Sequence, residues 1–145
     1  MIGFLQRVSS ASIEVDGGCI ATIGPGLLVL VGVEKADTPA QAKRLAERIL
    51  SYRMFADDAG RMNLNVGQIN GEILLVPQFT LAADTRQGNR PGFSSAADPA
   101  TGEQLFEALL AAMRQLGQSP ATGRFGANMQ VSLCNDGPVS FWLQV

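Results

Sequence analysis

Leu27-Leu28-Val29-Leu30-Val31 is apolar at every position. A strand with one face in water alternates apolar and polar residues, so a run without alternation must be covered on both faces. Five residues cannot cross a bilayer, which takes about 20. The run opens after Gly24-Pro25-Gly26, a turn signal. It therefore predicts a central strand with a layer on each side. A chain of 145 residues, 46% hydrophobic and 17% charged, has enough apolar material for those layers, and residues 1–145 read as a single domain.

The flanking pattern supplies the layers. Ala11, Ile13 and Val15 alternate with Ser12, Glu14 and Asp16, the period of a half-buried strand, and Asp16-Gly17-Gly18 reads as its hairpin turn. Thr38-Pro39-Ala40-Gln41 has a capping hydroxyl, proline at the first helical position and glutamine three residues on. Behind it Ala42, Leu45, Ala46, Ile49 and Leu50 share one helical face, with Lys43, Arg44, Glu47 and Arg48 opposite. Thr101-Gly102-Glu103-Gln104 predicts a second cap. Leu105, Phe106, Leu109, Leu110, Met113 and Leu116 form that helix's stripe, and Gly117 ends it.

Glu72 to Val76 reads as a strand running into Pro77-Gln78-Phe79-Thr80-Leu81, and Asp84 to Phe93 as a loop carrying Arg86 and Arg90. Met129, Val131 and Leu133 alternate with Gln130 and Ser132. Asn135-Asp136-Gly137-Pro138 then reads as a turn into a last strand, with Val139, Phe141, Leu143 and Val145 on one face and Ser140, Trp142 and Gln144 on the other. Trp142 on the wetter face points to a partner chain. The expected fold class is α/β (α+β): two main helices on a mixed, mostly antiparallel sheet.

Composition narrows the chemistry. Histidine is absent, which excludes Ser-His-Asp and Cys-His mechanisms, a histidine base and histidine-ligated metals. Cys19 and Cys134 are too few for a disulfide framework or a thiolate cluster, and are expected as small buried apolar residues. The acids form no metal-like cluster, so neither metal nor cofactor is expected. Asp57-Asp58 before Gly60 reads as a solvated turn. A net charge of -2 rules out gripping nucleic acid by bulk positive charge, though not reading a terminus. Met1 to Val8 does not read as a signal peptide, so a soluble cytoplasmic protein is expected, with neither membrane nor DNA as partner.

Hydroxyls, amides, carboxylates and backbone groups remain. Gln78 and Thr80, where a strand meets a loop, can present donors to a ligand. On spacing alone the segment also fits an ordinary strand end, and Asn135 to Ser140 a plain turn. Taken together they say more. Gln78-Phe79-Thr80-Leu81 followed by Asn135-Asp136-Gly137-Pro138-Val139 resembles the D-aminoacyl-tRNA deacylase family. The similarity extends in order through Gln6-Arg7-Val8, Gly26 to Leu30, Met62-Asn63-Leu64-Asn65, Thr122-Gly123-Arg124-Phe125 and Phe141 to Val145.

The resemblance implies a barrel-like deacylase fold, a homodimer, and hydrolysis of the ester joining a D-amino acid to the 3′ end of tRNA, with removal of glycine from mischarged glycyl-tRNA(Ala). It implies that Gly137-Pro138, joined by a cis bond, enters the partner's pocket and rejects L-amino acids, with Arg7 bracing it across the dimer. Gln78, Phe79 and Thr80 would be the catalytic segment, supplying backbone N–H groups to the oxyanion while the terminal 2′-hydroxyl assists. Phe125 and Met129 would line the adenosine pocket, although both also fit a core role. Arg86 and Arg90 are candidate phosphate contacts. The family usually has serine where this chain has Pro77, and threonine where it has Ser140, so any role of that serine's hydroxyl or N–H is in doubt. Other readings stay open: Thr80 as a nucleophile, a small ester or thioester hydrolase using Asp84 or Asp136 to activate water, or a non-catalytic module binding RNA 3′ ends.

Overall fold

The computed structural model describes residues 1–86 and 88–145. The central strand is β3 (Gly26–Gly32), counting β1 (Ile2–Val15) and β2 (Gly18–Ile23) before it. It pairs antiparallel with β1 and, on its other edge, parallel with Glu72–Pro77. Leu27, Val29 and Val31 join the larger core cluster, and Leu28 joins a second cluster with Ile13, Leu74 and Val76. Leu27, Leu28 and Val29 are all 0% exposed, which explains the missing alternation. Burying each such side chain is worth about 1.5–3 kcal/mol, so a polar substitution on either face of β3 is costly.

After β3 come α1 (Pro39–Ser51), the short hairpin β4 (Phe55–Ala56) and β5 (Met62–Leu64), then β6 (Glu72–Pro77), α2 (Pro99–Gln115), β7 (Ala121–Thr122) and β8 (Gln130–Gln144). The main sheet runs β2-β1-β3-β6-β7, with β8 also on β1. Along one edge β1 pairs first with β3 and then with β2, while β8 follows the other edge from Ile2 to Glu14. The sheet curls until β2 touches β6 and β7, a nearly closed barrel around the second cluster. The helices pack on each other over the larger cluster. Among the described residues, no helix is long and apolar enough to cross a membrane.

Helix α1 follows its sequence signals. Thr38 caps it, Gln41 Oε1 accepts the Thr38 N–H at 2.9 Å, and Ala42, Leu45, Ala46 and Ile49 are buried. Helix α2 starts earlier than expected. Its cap is Asp98, with Pro99 at the first helical position, and Thr101 donates its N–H to Asp98 Oδ1 at 3.1 Å. A carboxylate followed by proline combines a strong acceptor with a preset φ, so it outcompetes the threonine three residues on. Leu116 lies past the stripe as the C-cap residue and is exposed.

Two further expectations are corrected. Both cysteines are exposed. Cys19 lies opposite Glu14, and Cys134 opposite Ser10, on the solvent side of β1 and away from Ile13. Period-two alternation outweighs the usual burial of cysteine. Nor does Asn135-Asp136-Gly137-Pro138 reverse the chain. Leu133 pairs with Ala11 and Phe141 with Leu5, so both halves run antiparallel to the same strand. Between Val8↔Asn135 and Gln6↔Ser140, the segment Asp136 to Val139 bulges out opposite Arg7. The Asp84 to Phe93 segment is a loop, closed by Asp84 and Gly92 exchanging backbone hydrogen bonds at 2.7 and 3.0 Å; position 87 lies outside the described residues.

Candidate active site

Parallel strands β3 and β6 end side by side, and a cavity of about 500 Å³ opens beyond their carboxyl ends. Gln78 extends the ladder, its N–H donating to the Val31 carbonyl at 2.7 Å. The chain then tightens into a one-turn 3-10 helix, Phe79–Ala82. Leu81 and Ala83 donate to the carbonyls of Gln78 and Thr80, both at 3.2 Å. The first N–H groups of such a turn have no acceptor within it. Among the described residues, those of Phe79 and Thr80 donate to no other backbone group. The expected trio therefore divides: the main-chain N–H of Gln78 is committed to β3, whereas those of Phe79 and Thr80 have no backbone acceptor, and of these two Phe79 lines the cavity while Thr80 is not on its wall. The Gln78 side-chain amide donates to Thr80 Oγ1.

Gln78 and Phe79 line the cavity, and so do Phe125 and Met129. These last two arrive on the segment after β7, which is tied to β6 by Gly123 N–H donating to the Leu75 carbonyl at 2.9 Å. Phe125 leans on Phe106 of α2, ring centroids 6.5 Å apart, and Met129 packs against the second cluster. Both are half-buried, with part of their surface in core contacts and part on the cavity wall. Pro77 also lines the cavity, so the position that departs from the family pattern is part of the site. Phe79 is 61% exposed and stacks obliquely on Phe93 at 5.2 Å.

Gly137-Pro138 is elsewhere. It projects from the β8 bulge, exposed, and is not part of the cavity wall of its own chain. The bond is cis. Arg7 bonds within the same chain: Nε donates to the Asp136 carbonyl at 3.0 Å and Nη1 to the Met54 carbonyl at 2.8 Å, with Asp136 Oδ2 3.2 Å away. Arg7 thus ties the root of the bulge to the segment after α1.

The acids considered for activating water do not face the cavity. Asp84 is clamped by Arg86, Nε to Oδ1 at 2.9 Å and Nη2 to Oδ2 at 2.8 Å, which holds its carboxyl well below the usual range. Arg86 is correspondingly engaged. Asp136 is held by Arg7. The acid on the cavity wall is Asp98, which sequence reasoning passed over although Asp98-Pro99 is a helix-start signature. The Thr101 hydroxyl, and then its N–H, hold Asp98 below the usual carboxylate range.

A depressed value makes Asp98 a weak base. Its capping contribution is complete above the unfolded value of about 3.9 and is lost only as pH falls through the lower folded value. Asp98→Asn keeps a capping oxygen. We expect kcat within about threefold of the unaltered protein, whereas loss of a general base costs roughly 10²–10⁴-fold. A fall of that larger size in the rate of the chemical step would make this carboxylate the base.

Residues 4–144 match the family described as D-Tyr-tRNA(Tyr) deacylase. The "D-aminoacyl-tRNA deacylase" of Thioalkalivibrio sulfidiphilus (strain HL-EbGR7) is 57% identical over 145 residues, 100% of this chain and 97% of that protein. That of Klebsiella pneumoniae (strain 342) is 57% identical over 145 residues, 100% of both. Among solved structures, "c-Myc DNA Unwinding Element Binding Protein" superposes with a TM-score of 0.95 at 36% identity, covering 100% of this chain and 99% of the other. "Structural Analysis of a probable eukaryotic D-amino acid tRNA deacylase" matches with a TM-score of 0.83 at 15% identity over 99% and 98%, a likeness of fold alone. By sequence along nearly its whole length, and by the shape that sequence takes, the chain belongs to the D-Tyr-tRNA(Tyr) deacylase family.

Proposed function

We propose that this chain is a D-aminoacyl-tRNA deacylase that works as a cytoplasmic homodimer, with Gly137-Pro138 of one protomer entering the cavity of its partner. One observation carries the reading: the cavity gathers Gln78, Phe79, Phe125 and Met129, while the bulge bearing Gly137-Pro138 stands outside that cavity's wall. A bulge so placed is available to the cavity of another copy. The terminal adenosine lies against Phe125 and Met129, and the ester carbonyl faces the N–H groups of Phe79 and Thr80. Those donors stabilise the developing oxyanion.

Sparing L-aminoacyl-tRNA by a factor of about 10⁴ takes roughly 5.5 kcal/mol. Attraction to one apolar group supplies only about 1–3 kcal/mol. Steric refusal of the L side chain reaches the larger figure. Main chain refuses better than a side chain because it has no rotamer to swing aside. It also ignores the nature of the D side chain, and it has nothing to refuse in glycine. As the family resemblance implies, the 2′-hydroxyl of the tRNA then assists the attack of water, which is compatible with a chain that has no histidine. The name of one structural relative speaks of DNA, but a net charge of -2 does not suit a duplex-binding surface.

The test is deacylation of D-tyrosyl-, L-tyrosyl- and glycyl-tRNA by the purified protein. D-tyrosyl-tRNA is cleaved, L-tyrosyl-tRNA is spared and glycyl-tRNA is measurably hydrolysed. Equal cleavage of both tyrosyl esters, or complete inertness toward the glycyl ester, would overturn the reading.

A further inference from the structure

The bulge must hold its shape to exclude anything, yet Asp136, Gly137 and Pro138 are exposed. Bulged residues have left the sheet ladder, so their position depends on whatever bonds remain. Arg7 anchors one end, at Asp136. The other end is held by a residue to which no role has been given. Asn135, half-buried where the ladder breaks, reaches across the bulge. Its Oδ1 accepts the Val139 N–H at 2.8 Å and its Nδ2 donates to Ser140 Oγ at 3.0 Å. Gly137 and Pro138 lie between the two ends of this clasp.

We propose that Asn135 is a positioning residue for chiral selection, closing a side-chain bridge to Val139 that fixes where Gly137-Pro138 is presented. It touches no substrate. The inference rests on the preceding reading, in which the bulge refuses the L ester. The chemistry suits asparagine, which offers an acceptor and a donor on one short planar group. Aspartate keeps the acceptor for the Val139 N–H and loses the donor. Alanine loses both. Ser140→Ala removes only the outer partner.

The experiment compares Asn135→Ala, Asn135→Asp and Ser140→Ala with the unaltered protein in two ways. The first is the ratio of kcat/KM on D- and L-tyrosyl-tRNA. Asn135→Ala lowers it roughly tenfold, the size expected from loss of one hydrogen bond, through faster L hydrolysis with the D rate little changed. Asn135→Asp and Ser140→Ala stay within about threefold. The second is amide hydrogen exchange at Val139, which needs no substrate. Protection is lost in Asn135→Ala and kept in the other two, while core amides such as Leu75 stay protected in all three.

Unchanged Val139 exchange in Asn135→Ala, or an unchanged ratio despite lost protection, overturns the inference. So does an equal loss in Asn135→Asp or Ser140→Ala, because the bridge to Val139 would then not be what matters. Failure of the parent reading is separate: the unaltered protein would cleave both esters alike.

Discussion

Gly137→Ala is expected to cut the preference for D- over L-tyrosyl-tRNA at least tenfold, chiefly by letting the L ester through. Gly137 has φ +132, a conformation that L side chains rarely adopt. A Cβ there would lie 2.6 Å from Val139 Cγ2 and 3.0 Å from Arg7 Nη2. The first contact is too short to stand and the second is tight, so Val139 must shift and Arg7 must give by a few tenths of an ångström, on top of the strained φ. Arg7 also holds Asp136 and Met54, so the disturbance spreads along the root of the bulge. A steric wall works over tenths of an ångström, and a displacement that frees one methyl-sized contact forfeits about 1–3 kcal/mol of refusal, or 10–200-fold. In the proposed mechanism the D ester keeps its contacts to Phe79, Thr80, Phe125 and Met129 and should lose far less. The measurement is kcat/KM on both esters with thermal unfolding alongside. An unchanged ratio in a folded variant would remove Gly137-Pro138 from the selection mechanism.

The second large effect lies in the substrate. A tRNA ending in 2′-deoxyadenosine, carrying the same D-amino acid, should be deacylated at least 100-fold more slowly, in line with the 10²–10⁴-fold that a positioned proton-transfer group contributes. Thr80→Ala should cost less than tenfold. The Thr80 hydroxyl accepts from the Gln78 amide, a donor that withdraws electron density instead of removing a proton. A hydroxyl without an adjacent base is a weak nucleophile. In the proposed mechanism Thr80 offers its main-chain N–H, which alanine retains. The reverse pattern, a tolerant response to the deoxy tRNA and a collapse in Thr80→Ala, would make Thr80 the nucleophile. A covalent acyl-enzyme trapped on denaturation would confirm it.

Much of this was legible in the residue order, for reasons that differ by element. β3 stood out because burial on both faces leaves no alternation, and α1 because cap, proline and apolar stripe agree. The start of α2 was misread because Thr101-Gly102-Glu103-Gln104 imitates a capping signal that Asp98-Pro99 makes more strongly. The bulge was misread because Asn-Asp-Gly-Pro has the same composition whether the chain reverses or steps out of register. Only the pairing of Leu133 and Phe141 with one strand separates the two. The cavity drew its walls from Gln78, Asp98 and Phe125, residues far apart in sequence that the packing of α2 and the parallel β6–β7 pairing bring together. Resemblance named most of these residues. Geometry separated the committed N–H of Gln78 from those of its two successors, and placed the bulge off the wall of its own chain's cavity.

The pairing of the first long strand with the last has a temporal meaning. Contacts this distant along the chain are slow to form, because the whole intervening polymer must be ordered for them. The segment after β7, which completes the pocket, and the Gly137-Pro138 bulge both come later in the sequence than the Phe79–Ala82 turn. A chain cut short before β8 would hold the Phe79–Ala82 turn without the bulge. The lone tryptophan, Trp142, sits on that last strand with its ring 6.4 Å from Phe4 on the first. Its fluorescence is thus a built-in reporter of the moment β1 and β8 pair.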